Sequence, residues 1–228
     1  MIVGNGLIAT ALKKSDINFD KYVIFASGVS NSRLEDRSEF EKEFELIKEY
    51  LNMDKKFIYF SSIHMLDPSQ NKSMYVAHKI KIEKFIEQNF KDYIIYRLPI
   101  VIGQGGNAKS LFNFLYDSIR NKKNMNILVD SYRYVIDVED VVYFVSQTLN
   151  ITKNTINMVF DKPYNIIDII KSFENVLNIK AVYDECVGGD FFEVNNTVLK
   201  DNLINSQILN EYSNIEYIRK TIKKYYAF

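Results

Sequence analysis

Met1-Ile2-Val3-Gly4-Asn5-Gly6-Leu7-Ile8-Ala9 opens the chain, and its reading decides the fold. Ile2 and Val3 run straight into Gly-x-Gly-x-x-Ala, and an apolar stretch from Leu7 to Leu12 follows at helical spacing. Strand, glycine turn and helix in that order make a βα unit. Gly4 and Gly6, with the small Ala9, permit a tight turn and a close approach of the backbone to a pyrophosphate, and the helix N-terminus adds partial positive charge there. The expectation is an α/β chain on a parallel sheet.

Working outward, Phe57-Ile58-Tyr59-Phe60 is a run of β-formers ending at Ser61-Ser62, and Tyr75-Val76-Ala77-His78-Lys79 follows. On a helix, residues i and i+4 share a face, so Lys79 falls beside Tyr75. A tyrosine hydroxyl ordinarily titrates near ~10 and exchanges a proton near neutrality only when a positive charge favours the phenolate. Lysine supplies that charge, and a serine at the strand end can hold a substrate oxygen from the other side. In a chain with 16 tyrosines the pair alone reads as an exposed amphipathic helix. Its weight comes from the glycine turn before it and the serines just upstream.

Four further segments continue the pattern in order and spacing. They are Tyr22-Val23-Ile24-Phe25-Ala26-Ser27-Gly28, then Ile94-Ile95-Tyr96-Arg97-Leu98-Pro99-Ile100-Val101-Ile102-Gly103, then Arg133-Tyr134-Val135-Ile136-Asp137-Val138-Glu139-Asp140-Val141, and last Asn157-Met158-Val159-Phe160 with the helical run Ile166 to Leu177. Over most of its length the chain resembles the extended short-chain dehydrogenases/reductases, the NAD-dependent epimerase/dehydratase group that modifies nucleotide sugars. The resemblance implies a Rossmann-type doubly wound parallel sheet with a small C-terminal substrate lobe. It places the cofactor domain at 1–102 and the substrate lobe mainly at 103–228, with 134–178 returning to the cofactor domain. It implies NAD or NADP, held by Gly4, Gly6, Leu7 and Ile8, by Ala26, Ser27 and Gly28, and by Lys79 and Pro99; separately from the resemblance, Arg33 in the loop Ser30-Asn31-Ser32-Arg33 is a candidate for a cofactor phosphate. It assigns the catalytic roles to Ser62, Tyr75 and Lys79. Tyr75 would donate the proton, Lys79 would lower the tyrosine pKa and hold the nicotinamide ribose, and Ser62 would orient the carbonyl. His64 and Arg133 become substrate contacts, Arg133 on a phosphate.

Two departures matter. Only Lys13 to Lys21 separates the first helix from what reads as a later strand, so about one βαβ segment is missing, with the acidic residue that would take the adenosine ribose hydroxyls. Ile63-His64 stands where the dehydratase branch carries an Asp-Glu pair, which favours ketone reduction or epimerisation over dehydration. Two function classes stay open: an NAD(P)-dependent ketoreductase or epimerase of a nucleotide-activated sugar in surface-polysaccharide precursor synthesis, or a catalytically inactive Rossmann-fold binding or regulatory protein.

Composition agrees. With 228 residues, 47% hydrophobic and 14% aromatic, the chain can bury a large core. Twenty-nine basic residues balance twenty-nine acidic ones, which argues against a nucleic-acid surface. No apolar run approaches the ~20 residues of a membrane span and no leader pattern precedes the first strand, so a cytoplasmic protein is expected. Cys186 is the sole cysteine, and His64 and His78 lack the spaced ligands of a metal site. The expected partner is a nucleotide sugar, with a homodimer allowed and with neither nucleic acid nor membrane. Amphipathic helices are expected over Ser38 to Leu51, with Phe40, Phe44, Ile47 and Leu51 on one face, over Tyr75 to Phe90, and over Lys109 to Arg120.

Overall fold

Strand and helix segments alternate as the sequence pattern requires, in a computed structural model that describes residues 1–32, 34, 36–105 and 110–227. In chain order they are β1 (Ile2–Val3), α1 (Leu7–Lys13), β2 (Tyr22–Phe25), α2 (Arg37–Lys48), β3 (Lys56–Ser62), α3 (Met74–Asn89), β4 (Tyr93–Leu98), β5 (Ile100–Ile102) and α4 (Leu111–Arg120). Then follow β6 (Asn124–Leu128), β7 (Tyr132–Arg133), β8 (Val135–Asp137), α5 (Val138–Thr148), β9 (Asn154–Asn157), β10 (Tyr164–Asn165), α6 (Ile166–Leu177), β11 (Val182–Cys186), α7 (Thr197–Asn202), α8 (Ile208–Glu211) and α9 (Ile215–Tyr226). Two compact units divide the chain: Met1–Leu98 with Val138–Met158 and Val194–Ile204, and Pro99–Asp137 with Val159–Glu193 and Asn205–Phe228.

The first unit is a five-stranded sheet in the order β1-β2-β3-β4-β9, parallel at every pairing. Central β3 is covered on both faces, which is why Phe57-Ile58-Tyr59-Phe60 reads as an unbroken apolar run and not as an alternation. On one face Val23, Phe25, Phe57, Tyr59 and Ile95 pack against Ile47 of α2 and Ile82 and Ile86 of α3. Phe57 stacks on Phe90 at 4.1 Å between ring centroids, so emptying that position removes contacts worth ~3–5 kcal/mol. Elsewhere in the unit α1 packs on α5, and Tyr96 of β4 shares a 2.7 Å hydrogen bond with Thr148 of α5.

β1 is the edge. Its neighbour is β2, paired Ile2 to Ile24 and Val3 to Phe25, and among the described residues no strand lies beyond it. A parallel crossover with its own helix and strand needs a dozen or more residues. The stretch between α1 and β2 is too short for that, and the sheet is a Rossmann-type sheet shortened on this side.

Helix boundaries follow local chemistry. Asp36 caps α2 by accepting from the Ser38 N–H, and Ser73 caps α3 by accepting from the Val76 N–H at 3.4 Å. The expected helix to Leu51 ends its α-helical part at Lys48, because Glu49, Tyr50 and Leu51 bond three residues back, to Leu46, Ile47 and Lys48, and tighten the last turn. Of the helix expected from Lys109, α4 begins at Leu111 and Lys109 itself lies outside the described residues.

In the second unit three two-stranded pairings, β5 with β8, β6 with β11 and β7 with β10, accompany α4, α6 and α9. α6 packs against α9 and α4 through an aromatic contact chain from Phe112 to Phe173 to Tyr226. Segment 159–178 therefore lies in this unit, and 138–158 lies in the first.

Candidate functional site

The Ser73 cap starts α3 so that Tyr75 stands in its first turn and Lys79 one turn further on. Both are buried, and the Lys79 ammonium nitrogen lies 5.7 Å from the centre of the Tyr75 ring. At the end of β3, side chains alternate between faces. Ser61 shares its face with Tyr59, the residue that meets Lys79, and its buried hydroxyl has no hydrogen-bond partner among the described residues. Ser62 takes the opposite face, and its oxygen accepts the His64 N–H at 3.2 Å, capping the 3-10 turn Ile63–Leu66 that carries His64.

Glu43 is the member of this cluster that the sequence reading missed. Its side chain is buried on α2 and both its oxygens are engaged. Oε1 accepts the Tyr59 hydroxyl at 2.6 Å and Lys79 at 3.0 Å. Oε2 accepts the Val29 N–H at 2.8 Å, lies 2.9 Å from His78 Nε2, and is 3.4 Å from Lys79. Lys79 also donates to the Tyr59 oxygen at 2.7 Å, which closes a triangle. The signal was present: Phe40, Glu43 and Ile47 recur at helical spacing, which puts a carboxylate on the buried stripe of α2. A charge there needs a partner.

The electrostatics follow from this crowding. Burial pushes the Glu43 pKa up, but the Lys79 charge and the hydrogen bonds from His78, Tyr59 and Val29 outweigh it and hold the group down at about 2. Burial and the Glu43 charge push the Tyr59 phenol well above its ordinary value. Tyr59 is thus a standing donor to Glu43.

At the glycine turn the residues fit the diphosphate of a dinucleotide. Gly4 has φ +113°, and a Cβ there would stand 2.4 Å from the Ala26 oxygen, so only glycine lets the end of β1 lie against the end of β2. Gly6 caps α1 without a side-chain bond and faces open space, and Leu7 and Ile8 open the helix. Lys13 ties the turn by donating to Gly4 O at 2.8 Å and Asn5 Oδ1 at 3.0 Å. Ala26, Ser27 and Gly28 follow β2, and beside them lies an open cleft of about 390 Å³ lined by Ser27, Gly28, Val29, Leu34, Lys42 and Glu43. The fit is lost at the riboses. Lys79 is turned into the Glu43 network, and the strand that would carry the adenosine-side carboxylate is the one the sheet lacks.

Two other expected site residues belong to the second unit, and a third is not described. Pro99 is the first residue of the second unit. Arg133 belongs to β7 of that unit, where it pairs with Asp190 at 2.9 Å and donates to the Tyr132 carbonyl at 2.7 Å. Arg33 lies outside the described residues. Among the described residues no group of three or more His, Cys, Asp and Glu side chains could hold a metal ion, and no helix is long and apolar enough to cross a membrane.

No family model and no curated protein matches the chain. Solved structures do. The protein RMD from Pseudomonas aeruginosa, complexed with NADPH, superposes with a TM-score of 0.71 at 13% identity over 98% of each chain. UDP-N-acetylglucosamine 4-epimerase from Methanobrevibacter ruminantium M1, in complex with UDP-N-acetylmuramic acid, gives 0.68 at 17% identity over 93% of this chain and 80% of the epimerase. UDP-glucuronic acid 4-epimerase from Bacillus cereus, with UDP-glucuronic acid and NAD, gives 0.65 at 16% identity over 95% and 79%. At these identities the likeness is one of fold: the chain has the Rossmann-type fold of the nucleotide-sugar epimerases, shortened at the edge where β1 stands.

Proposed function

We propose that the chain is an NAD(P)-dependent oxidoreductase that reduces a carbonyl on a nucleotide-activated sugar, or interconverts carbonyl and alcohol there during epimerisation, in the synthesis of surface-polysaccharide precursors. The observation that carries this reading is the buried Tyr75 and Lys79 on one face of α3, 5.7 Å apart, with two serine hydroxyls at the end of β3. Solved relatives of the same fold are described with NAD, NADPH and uridine-diphosphate sugars, which supports the substrate and cofactor class.

In this reading a bound nicotinamide supplies or takes the hydride. The chain's own residues handle the oxygen. A carbonyl seated against one serine hydroxyl, that of Ser62 by the sequence reading or of Ser61 by its unpartnered oxygen, becomes an alkoxide that Tyr75 protonates. Gly4 and Gly6 admit the diphosphate, and His64 and Arg133 are assigned to the substrate. Fluorescence titration with NADH and NADPH, followed by nicotinamide absorbance assays against nucleotide-activated keto sugars, tests the proposal. Saturable binding with turnover of at least one keto sugar is expected, and no binding of either dinucleotide at millimolar concentration would overturn it.

A second reading, a Rossmann-fold binding protein without turnover, is favoured by one specific observation. The Lys79 charge is already matched by Glu43, on a sheet that stops at β1. Binding of a nucleotide sugar without hydride transfer distinguishes it from the first.

A further inference from the structure

The Lys79 ammonium group lies 3.0 and 3.4 Å from the two oxygens of Glu43, which share a donor, and gives another donor to the Tyr59 oxygen at 2.7 Å. The loop after β2 closes over this network. A Cβ on Gly28 would stand 2.8 Å from Glu43 Oε1 and 3.0 Å from Lys79 Nζ, so the backbone lies directly on the ion pair, and the next residue, Val29, donates its N–H into it. His78 approaches from α3 and is itself stacked on Phe40 of α2 at 4.6 Å. Two segments of helix, one strand and one loop therefore converge on a single carboxylate. The wall that this network presents to the cleft is Glu43, an acceptor; Lys79 is not among the lining residues.

We propose that Glu43 is the positioning residue of this site: it fixes the Lys79 ammonium group inside the protein for Tyr75, away from the cleft that a ligand ribose would enter. This rests on the reading of Tyr75 as proton donor, and it alters what Lys79 does within that reading. Tyr75 experiences a compensated ion pair in place of a bare cation. A hydroxyl or amine entering the cleft meets a carboxylate where the dinucleotide pattern offers an ammonium. Removing one member of a buried pair leaves an uncompensated charge, whereas removing both does not, so the two residues must behave as one energetic unit.

The test separates charge from shape. Glu43→Gln keeps the outline and loses the charge, and Glu43→Asp keeps the charge with a shorter reach. Acylation of Lys79, followed by mass spectrometry against the surface lysines of the same molecule, reads how firmly the ammonium group is held. About ten-fold faster labelling of Lys79 is expected in Glu43→Gln, with Glu43→Asp closer to the wild type. Labelling of Glu43→Gln at the wild-type rate, or of Glu43→Asp as fast as Glu43→Gln, overturns the proposal. Where a single variant folds poorly, thermal unfolding of Glu43→Gln, Lys79→Met and the double variant decides: the double variant should unfold no lower than the less stable single, and additive losses overturn the proposal. Neither measurement uses a ligand. A wild type that binds no dinucleotide would sink the proposed function and leave this test standing; a wild type that binds NADPH, with Lys79→Met weakening it by ten-fold or more, would sink the assignment of Lys79 made here.

Discussion

Arg97 of β4 grips Glu83 of α3 with two nitrogens, Nε at 3.0 and 3.1 Å from its oxygens and Nη2 at 2.6 Å. Glu83 lies one helical turn beyond Lys79, as Lys79 lies one turn beyond Tyr75, so one face of α3 carries the hydroxyl, the cation and the anion that anchors the helix to the sheet. The Glu83 side chain is 4% exposed and Arg97 is its ion-pair partner. Arg97→Gln should therefore cost ~3 kcal/mol or more, because the buried carboxylate loses its counter-charge. Glu83→Gln added to it should recover part of the loss, as urea midpoints of the two single variants and the double variant will show.

Tyr75→Phe removes only a hydroxyl from a side chain already packed against Phe40 and Val76. Folding and dinucleotide binding should change little. Turnover should fall by the ~10²–10⁴ typical of a lost general acid, while Tyr59→Phe, which deletes a donor to Glu43, should act chiefly on stability. Full turnover in Tyr75→Phe would remove the tyrosine from the mechanism.

Acid should unfold the first unit through Glu43. Its carboxyl titrates at about 2 in the folded chain against an ordinary 4.5, a depressed value. The stabilisation is therefore complete above the unfolded value and drains away as pH falls from about 4.5 through 2. The difference is on the order of 3 kcal/mol. Glu43→Gln has no such proton to bind, so its stability should be lower at neutral pH and flatter across that window, measured by thermal unfolding in a pH series.

The parallel sheet, the Gly4 turn and the Tyr75/Lys79 spacing were legible because each is a local pattern: a β-branched run, a glycine pair, a four-residue interval. The loss of the adenosine-side strand was legible too, from the short interval between Lys13 and Tyr22. What the sequence did not reveal was Glu43. Its neighbours in sequence, Glu39, Glu41 and Glu45, are charged, and a fourth carboxylate among them resembles one more solvated charge. Only the helical phase of Phe40 and Ile47 marks it as inward. That it meets Lys79, 36 positions away, is decided by how α2 and α3 dock on β3. The choice between the adjacent Ser61 and Ser62 depends on the face on which Tyr59 lies, and that is fixed by packing and not by composition.

Cofactor preference should follow from the shortened edge. A Rossmann site that selects NAD does so with a carboxylate at the end of the strand next to the glycine turn, where it accepts the ribose hydroxyls and repels a 2′-phosphate. In this chain β1 is itself the outermost strand of the described sheet, with β2 on its other side. With no carboxylate strand beside it among the described residues, the usual repulsion of the NADPH phosphate is not expected, and a loop cation such as Arg33 would favour that phosphate. NADH and NADPH should bind within about ten-fold of each other, or NADPH more tightly, and Arg33→Ala should erase any NADPH advantage. Dissociation constants for both dinucleotides in the wild type and in Arg33→Ala check this. A strong NADH preference would mean that an acidic group reaches the ribose from elsewhere in the chain, and that the lost strand was replaced and not simply removed.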